Sequence, residues 1–212
     1  MRRRRREPVV VRHDQGRELL VVRLHGYGSD ERQPSTLMPV SAPAYVLDPR
    51  GPHRVSPGFG WWLPETGSCG VELAPTAAMD AAVERVVEVI EQGRAESGIP
   101  PSRTTLYGYS QGATLALAVA AARPDLLGTV VAGAGFLPPD RPVPVAAGPL
   151  DILVMNGDLD PVVTPALHDE TVARLAAAGH RVRSRRDAVP HVIDAAQARA
   201  ADEFIGQQVT IR

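Results

Sequence analysis

The stretch from Thr104 to Thr114 reads Thr-Thr-Leu-Tyr-Gly-Tyr-Ser-Gln-Gly-Ala-Thr, and it limits what the rest of the chain can be. Thr105, Leu106 and Tyr107 read as a short buried strand, and Ala113 to Ala122 as an apolar helix closed by Arg123 and Pro124. Ser110 falls on the turn between them. Gly108, Ser110 and Gly112 form a Gly-x-Ser-x-Gly pattern, whose small residues let a strand turn abruptly into a helix and lift the serine hydroxyl above the sheet. The free N–H groups at the start of that helix point to the same place. The bare pattern also describes an ordinary glycine-softened turn, so its meaning depends on the rest of the chain.

The remaining segments alternate strand with helix. Val9 to Arg12 and Leu19 to Leu24 are β-rich runs around the turn cluster Asp14-Gln15-Gly16, which predicts that they form an antiparallel pair. Ala44 to Asp48 reads as a strand, and Pro49 to Pro75 as a long Gly/Pro/aromatic loop of the kind that usually carries function. A helix follows from Thr76, with Ala77, Val83, Val86, Val87 and Ile90 on its apolar face, and stops at Gly98. After the Ser110 helix come strands at Thr129 to Ala132, Asp151 to Met155 and Arg181 to Arg185, with helices at Thr164 to Ala178 and Ile193 to Phe204. This order implies an α/β fold: a mainly parallel twisted sheet with an N-terminal antiparallel strand and helices on both faces. Phe136 to Pro149 is too short and proline-rich for a large cap.

With 212 residues, the expectation is one domain over 1–212, with 1–7 a frayed basic terminus. The arginine run Arg2 to Arg6 is followed by Glu7 and Pro8 rather than an apolar stretch, which argues against an export signal. The formal net charge of −1 favours no nucleic-acid partner, and no stretch has the apolar length of a membrane span. All positive charge is arginine, which we read as the coding bias of a GC-rich bacterial genome. The single cysteine, Cys69, suits a reducing cytoplasm. Leu63 to Gly67 spells a cell-wall sorting signal, but mid-chain and without a hydrophobic tail.

A serine hydroxyl is a weak nucleophile alone, so Ser110 calls for a histidine base and a carboxylate to hold it. Of the later histidines, His168 lies inside a predicted helix and His180 just before a strand. His191 follows the last strand, at the end of a parallel sheet where such a base belongs. The carboxylate should leave the preceding strand, where Asp158 and Asp160 both qualify. Asp160, backed by Pro161, starts a turn able to aim at His191, whereas Asp158 is expected to cap the loop's own amides.

Four segments together resemble the phospholipase/carboxylesterase family of α/β hydrolases, which includes acyl-protein thioesterases. They are His25-Gly26-Tyr27-Gly28-Ser29-Asp30, Gly108-Tyr109-Ser110-Gln111-Gly112-Ala113, Gly157-Asp158-Leu159-Asp160-Pro161-Val162-Val163 and Pro190-His191-Val192-Ile193. The resemblance implies the α/β-hydrolase fold, with Ser110 as nucleophile, Asp160 as acid, His191 as base and the backbone N–H groups of Tyr27 and Gln111 as oxyanion hole. It also implies that His25 ties its loop down. Asn156 departs from the family pattern, as does Trp61-Trp62-Leu63-Pro64, which replaces an aromatic pair followed by aspartate and bears on substrate class. Trp61, Trp62 and Leu63 are the expected substrate-binding side chains. Adjacent residues of an extended segment face opposite ways, so one tryptophan should pack inward and the other face the cleft.

The expected chemistry is hydrolysis of a carboxylic ester or thioester through an acyl-enzyme, with a small-molecule substrate, no metal and no organic cofactor. Self-association into a homodimer is left open. Two alternatives remain at this stage. The same acyl-enzyme serves an acyltransferase or a lactone-forming enzyme, and a silent hydrolase fold serves as a binding protein.

Overall fold

The computed structural model describes residues 9–64, 76–145 and 147–210. The basic terminus, Cys69 and most of Leu63 to Gly67 lie outside these residues. The central feature is a seven-stranded sheet of β1 (Val10–Asp14), β2 (Leu19–Leu24), β3 (Ala44–Pro49), β6 (Thr104–Tyr109), β7 (Thr129–Gly133), β8 (Asp151–Gly157) and β9 (Arg181–Asp187). Two short strands, β4 (His53–Arg54) and β5 (Phe59–Gly60), form a separate ribbon. The sheet order is β1-β3-β2-β6-β7-β8-β9, and every neighbouring pair is parallel except β1 with β3.

The expected pairing of the first two strands is not what forms. β3 lies between them, with Val10 opposite Pro49 on one edge and Leu19 opposite Ala44 on the other. The turn cluster instead carries the chain past the end of β3, where Gln15 N–H donates to Ala44 O and Glu18 N–H to Pro43 O. Turn residues specify that the chain reverses; which strand fills the gap depends on contacts distant in sequence.

Alternation along the strands sends their side chains to two cores. Leu20, Val22 and Leu24 join Leu106, Val130 and Ile152 beneath α2 (Thr76–Ser97), α3 (Gln111–Ala122) and α4 (Pro165–Ala177). Leu19 and Val21 join Tyr107, Val131 and Met155 on the other face, under α1 (Gln33–Leu37) and α5 (Ala195–Thr210), which contributes Phe204 and Ile205. Each fully buried Leu or Val contributes about 1.5–3 kcal/mol, so a two-faced sheet is the main source of stability. α2 buries Met79, Ala82, Val83, Val86, Val89 and Ile90, whereas Ala77, expected on that face, is exposed in the first turn. α3 is buried from Gln111 to Ala121, which explains a composition almost free of polar residues.

Because β2, β6, β7, β8 and β9 run parallel, their carboxyl ends share one edge of the sheet. The loops that carry His25 to Ser29, Ser110, Asp158 to Asp160 and His191 all leave from that edge. No helix among the described residues of Phe136 to Pro149 forms a cap.

Candidate active site

Ser110 joins β6 to α3 with φ 53° and ψ −118°, a backbone conformation rare for a residue with a Cβ. Such strain costs on the order of 1–3 kcal/mol and persists only where the surroundings over-determine it. Here Ser110 N–H donates to Gly133 O at 2.9 Å, while Ser110 O accepts from Ala113 and Thr114 at 2.9 and 3.0 Å. The flanking glycines are required by close approach. A Cβ on Gly108 would lie 2.2 Å from Gly112 O, and one on Gly112 would lie 2.3 Å from Leu24 O at the end of β2.

The hydroxyl of Ser110 is 2.8 Å from His191 Nε2, and His191 Nδ1 is 2.7 Å from Asp160 Oδ2. This spacing fits the tautomer in which Nδ1–H donates to the carboxylate and Nε2 accepts from the hydroxyl. The Asp160 carboxylate is fully buried, and its other oxygen accepts from Val162 N–H at 2.8 Å and Val163 N–H at 2.9 Å. One aspartate therefore both caps its loop and reaches the histidine. The expectation that Asp158 does the capping fails: the Asp158 side chain is about half exposed and its carboxylate pairs with Arg186 at 3.2 Å. The difference follows from the turn, since only Asp160 stands two and three residues before free amides on its own side of the loop.

The other histidines lie away from this cluster. His168 Nε2 is 2.8 Å from Ser184 Oγ, and His180 Nδ1 accepts from Leu150 N–H at 3.2 Å. His25 is fully buried: its Nδ1–H donates to Gly26 O at 2.8 Å and its Nε2 accepts from Gly51 N–H at 2.9 Å. Burial lowers its pKa from the ordinary histidine value, which keeps the ring neutral for that pair of bonds.

The loop after β2 is held by several independent bonds. Gly26 N–H donates to Gln33 Oε1 at 2.8 Å, Gly28 N–H to Phe59 O at 2.8 Å, and Phe59 N–H to Ser29 O at 2.7 Å. Glu31 receives Arg50 Nε at 2.6 Å as well as its Nη2, and that cation holds the carboxyl below the usual range. Among the described residues, no hydrogen bond uses the Tyr27 N–H, and the Gln111 N–H belongs to the first turn of α3, which has no acceptor within the helix. Both are donors left for something else.

Trp61 and Trp62 do not divide between core and cleft as expected. They are 1% and 2% exposed. Trp61 stacks on His25 with ring centroids 5.0 Å apart and donates its Nε1–H to His25 O at 2.9 Å. The alternation argument requires an extended chain, but the backbone leaves the β4–β5 ribbon at Gly60 and bends at both tryptophans. Leu63 is the exposed member of the three, at 52%. A cleft of about 650 Å³ lined by Arg50, Gly51, His53, Phe59, Trp61 and Ala82 lies behind this loop and includes none of Ser110, Asp160 and His191.

Three contributors escaped the sequence. Tyr109, a variable position of the serine pattern, donates its hydroxyl to His191 O at 2.8 Å and lies 5.7 Å from the His191 ring, and burial raises its phenol pKa. Asn156 Nδ2 donates to Val163 O at 2.6 Å and so tethers the Asp160 loop. Gln111 uses its side chain as well as its backbone: Oε1 accepts from Trp61 N–H at 2.8 Å and Nε2 donates to Trp62 O at 3.2 Å. Nothing local marks a buried partner of this kind; a polar side chain inside the apolar α3 segment was the available signal. No group of three or more His, Cys, Asp or Glu among the described residues is arranged to hold a metal ion.

Comparison with known proteins gives the family and the fold. Residues 5–209 match the model of the phospholipase/carboxylesterase family. The chain belongs to that family. A curated relative, "Putative esterase NocK" of Nocardia uniformis subsp. tsuyamanensis, is 28% identical over 149 residues, covering 70% of this chain. The match spans only 41% of that relative's length. Among solved structures, a Bacillus cereus carboxylesterase superposes with a TM-score of 0.84 at 18% identity, covering 96% of this chain and 95% of the other. Esterase PE8 superposes with a TM-score of 0.78 at 24% identity, covering 95% and 98%. Both share the α/β-hydrolase fold with this phospholipase/carboxylesterase family member. No helix among its described residues is long and apolar enough to cross a membrane.

Proposed function

We propose that this protein is a serine hydrolase that cleaves carboxylic esters or thioesters through an acyl-enzyme on Ser110. The observation that carries the reading is the continuous chain from Ser110 Oγ to His191 Nε2 at 2.8 Å and from His191 Nδ1 to Asp160 Oδ2 at 2.7 Å, set on a strained turn above a parallel sheet. His191 takes the hydroxyl proton as Ser110 attacks the carbonyl carbon, and returns it to the departing alcohol or thiol. Asp160 holds the imidazole tautomer and balances its positive form. The N–H groups of Tyr27 and Gln111 receive the oxyanion, the contribution that is usually largest. Water activated by His191 then releases the acid and restores the serine.

Membership of the phospholipase/carboxylesterase family supports this reaction class, and the free N–H groups support the oxyanion assignment. Exposed Leu63, Leu159 and Val192 each adjoin a site segment, which supports an apolar rim suited to an alkyl or acyl group. The tryptophans have no part in that rim.

The test is labelling by a fluorophosphonate together with turnover of p-nitrophenyl esters of graded chain length. Ser110→Ala is expected to abolish labelling and to lower turnover by several orders of magnitude with the fold intact. Wild-type labelling of that variant would remove Ser110 from the mechanism. Product analysis with an added alcohol separates hydrolysis from acyl transfer.

A further inference from the structure

Gln111 lies 2% exposed at the first position of α3, where a polar amide carries a desolvation cost that the alanines and leucines of that helix avoid. That cost is offset because both ends of the amide are satisfied by backbone: the Trp61 N–H at 2.8 Å and the Trp62 carbonyl at 3.2 Å. Trp61 and Trp62 lie at a bend beyond the β4–β5 ribbon, so no ladder partner serves these two groups. One side chain supplies the pair of bonds that a neighbouring strand would otherwise give.

The same loop reaches the other proposed oxyanion donor. Immediately before Trp61, Phe59 exchanges hydrogen bonds with Gly28 and Ser29, and Gly60 packs so closely on the Tyr27 ring that a Cβ would come within 2.9 Å of it. His25 joins in from below through Gly51 N–H and the Trp61 indole. The turn at Ser110 is set against the end of β2 by the close approach of Gly112 to Leu24 O and His25 O and of the Tyr109 ring to Gly26, while the hydrogen bonds of the turn that carries Tyr27 run to Gln33 and to the 50–60 segment. The two donors thus come from separate loops, which touch at Gly26 and Gly112 and are joined by hydrogen bonds through a second path of Phe59, Gly60, Trp61, Trp62 and the Gln111 amide.

We infer that the Gln111 side chain is a positioning residue, which latches the Trp61–Trp62 backbone to the start of α3 and thereby sets the spacing between the Tyr27 and Gln111 N–H groups. This rests on the oxyanion assignment proposed above. Its role is separate from that of its own backbone N–H, which every substitution except proline retains.

The chain has two tryptophans, Trp61 and Trp62, so emission excited at the red edge of the indole band, where the four tyrosines do not absorb, reports this loop. Gln111→Ala is expected to red-shift the emission and increase quenching by acrylamide, with the far-ultraviolet circular dichroism retained. On p-nitrophenyl acetate, kcat is expected to fall on the order of 100-fold, as for a misplacement of about 1 Å, with KM within about twofold. An interaction that matters only in the transition state lowers kcat alone. Unchanged emission would overturn the latch. A raised KM with intact kcat, or altered emission with wild-type kcat, would overturn the link to the oxyanion hole.

Gln111→Glu provides a second arm that holds if the alanine variant fails to fold. A protonated carboxyl presents the same acceptor and donor as the amide, whereas the ionised form loses the donor beside Trp62 O. Burial raises the pKa of the introduced carboxyl, so emission should return to that of the wild type as pH falls and depart from it as pH rises. Emission that stays altered at all pH values, or never differs, would overturn the proposal. Failure of the hydrolase reading is visible elsewhere, as fluorophosphonate labelling that survives Ser110→Ala.

Discussion

Two aspartates in this molecule are buried to the same extent and answered in different ways. The Asp48 carboxylate, at the end of β3, is fully buried and receives Arg23 Nε at 2.8 Å and Nη2 at 2.7 Å, with His13 Nε2 at 3.2 Å. Arg23 also donates to Met38 O at 2.7 Å. The Asp160 carboxylate is equally buried but meets no permanent cation among the described residues: two backbone N–H groups hold one oxygen and a histidine the other. At Asp48 the negative charge is already balanced by an arginine that is always protonated. At Asp160 it is held by dipoles. In the proposed mechanism that charge is therefore still available when His191 becomes positive. Burial of a carboxylate says little about its role; the kind of group that answers it says much more.

Exchanging the carboxylate for an amide at each place should separate the two roles. Asp160→Asn keeps an acceptor for Val162 and Val163 but presents the wrong partner to His191 Nδ1. The expected loss in kcat is on the order of 10⁴-fold with the melting temperature little changed, as measured by ester turnover and thermal unfolding. Retained turnover would show that Asp160 does no more than cap its loop.

Asp48→Asn should do the opposite. It leaves Arg23 buried without a counter-charge, at an expected cost of about 3–5 kcal/mol in denaturant unfolding, with kcat near wild type at a temperature where the variant is folded. Replacing Arg23 and Asp48 together by apolar residues of similar volume should recover most of that loss, because neither charge is then stranded. If the double variant is as unstable as the single, the pair is specifying the sheet register and not merely balancing itself.

His25 supplies a third case, a buried titratable ring with no carboxylate bonded to it. Its pKa is lowered by burial, as are those of His168 and His180, so the unfolded chain binds protons more readily than the native one. Stability is therefore complete above the unfolded value of about 6.5 and declines as pH falls below it, levelling off once the native pKa values are passed. Thermal unfolding at pH 7.5 and at pH 5.5 should show this decline. A flat profile would mean that the buried rings are protonated without penalty.

The smallest effect is expected at Asp158→Asn. That carboxylate is close in sequence to Asp160 but pairs with Arg186 at the surface. The expected change is within about 0.5 kcal/mol in stability and about twofold in turnover. A large loss of activity would make Asp158 part of the acid's machinery and blur the contrast with Asp160.

Much of this was legible in the chain because it is local. The strand-turn-helix around Ser110, the alternation that gives a parallel sheet, and the places where Asp160 and His191 leave their strands all follow from residues within a few positions of one another. Hydrophobic periodicity and glycine or proline punctuation act at that range, and a parallel sheet brings successive strand ends to one edge by construction. The tertiary structure decided what depends on partners far away in sequence. It placed β3 between β1 and β2 where the turn alone suggested a hairpin. It buried both tryptophans because the chain bends after β5 and His25 offers a ring and a carbonyl to Trp61. It gave the capping of the 158–163 loop to Asp160, the bracing of His191 to Tyr109, and the two backbone bonds at Trp61 and Trp62 to Gln111. A buried polar side chain is satisfied by whichever backbone group happens to arrive beside it, and no local pattern encodes that arrival.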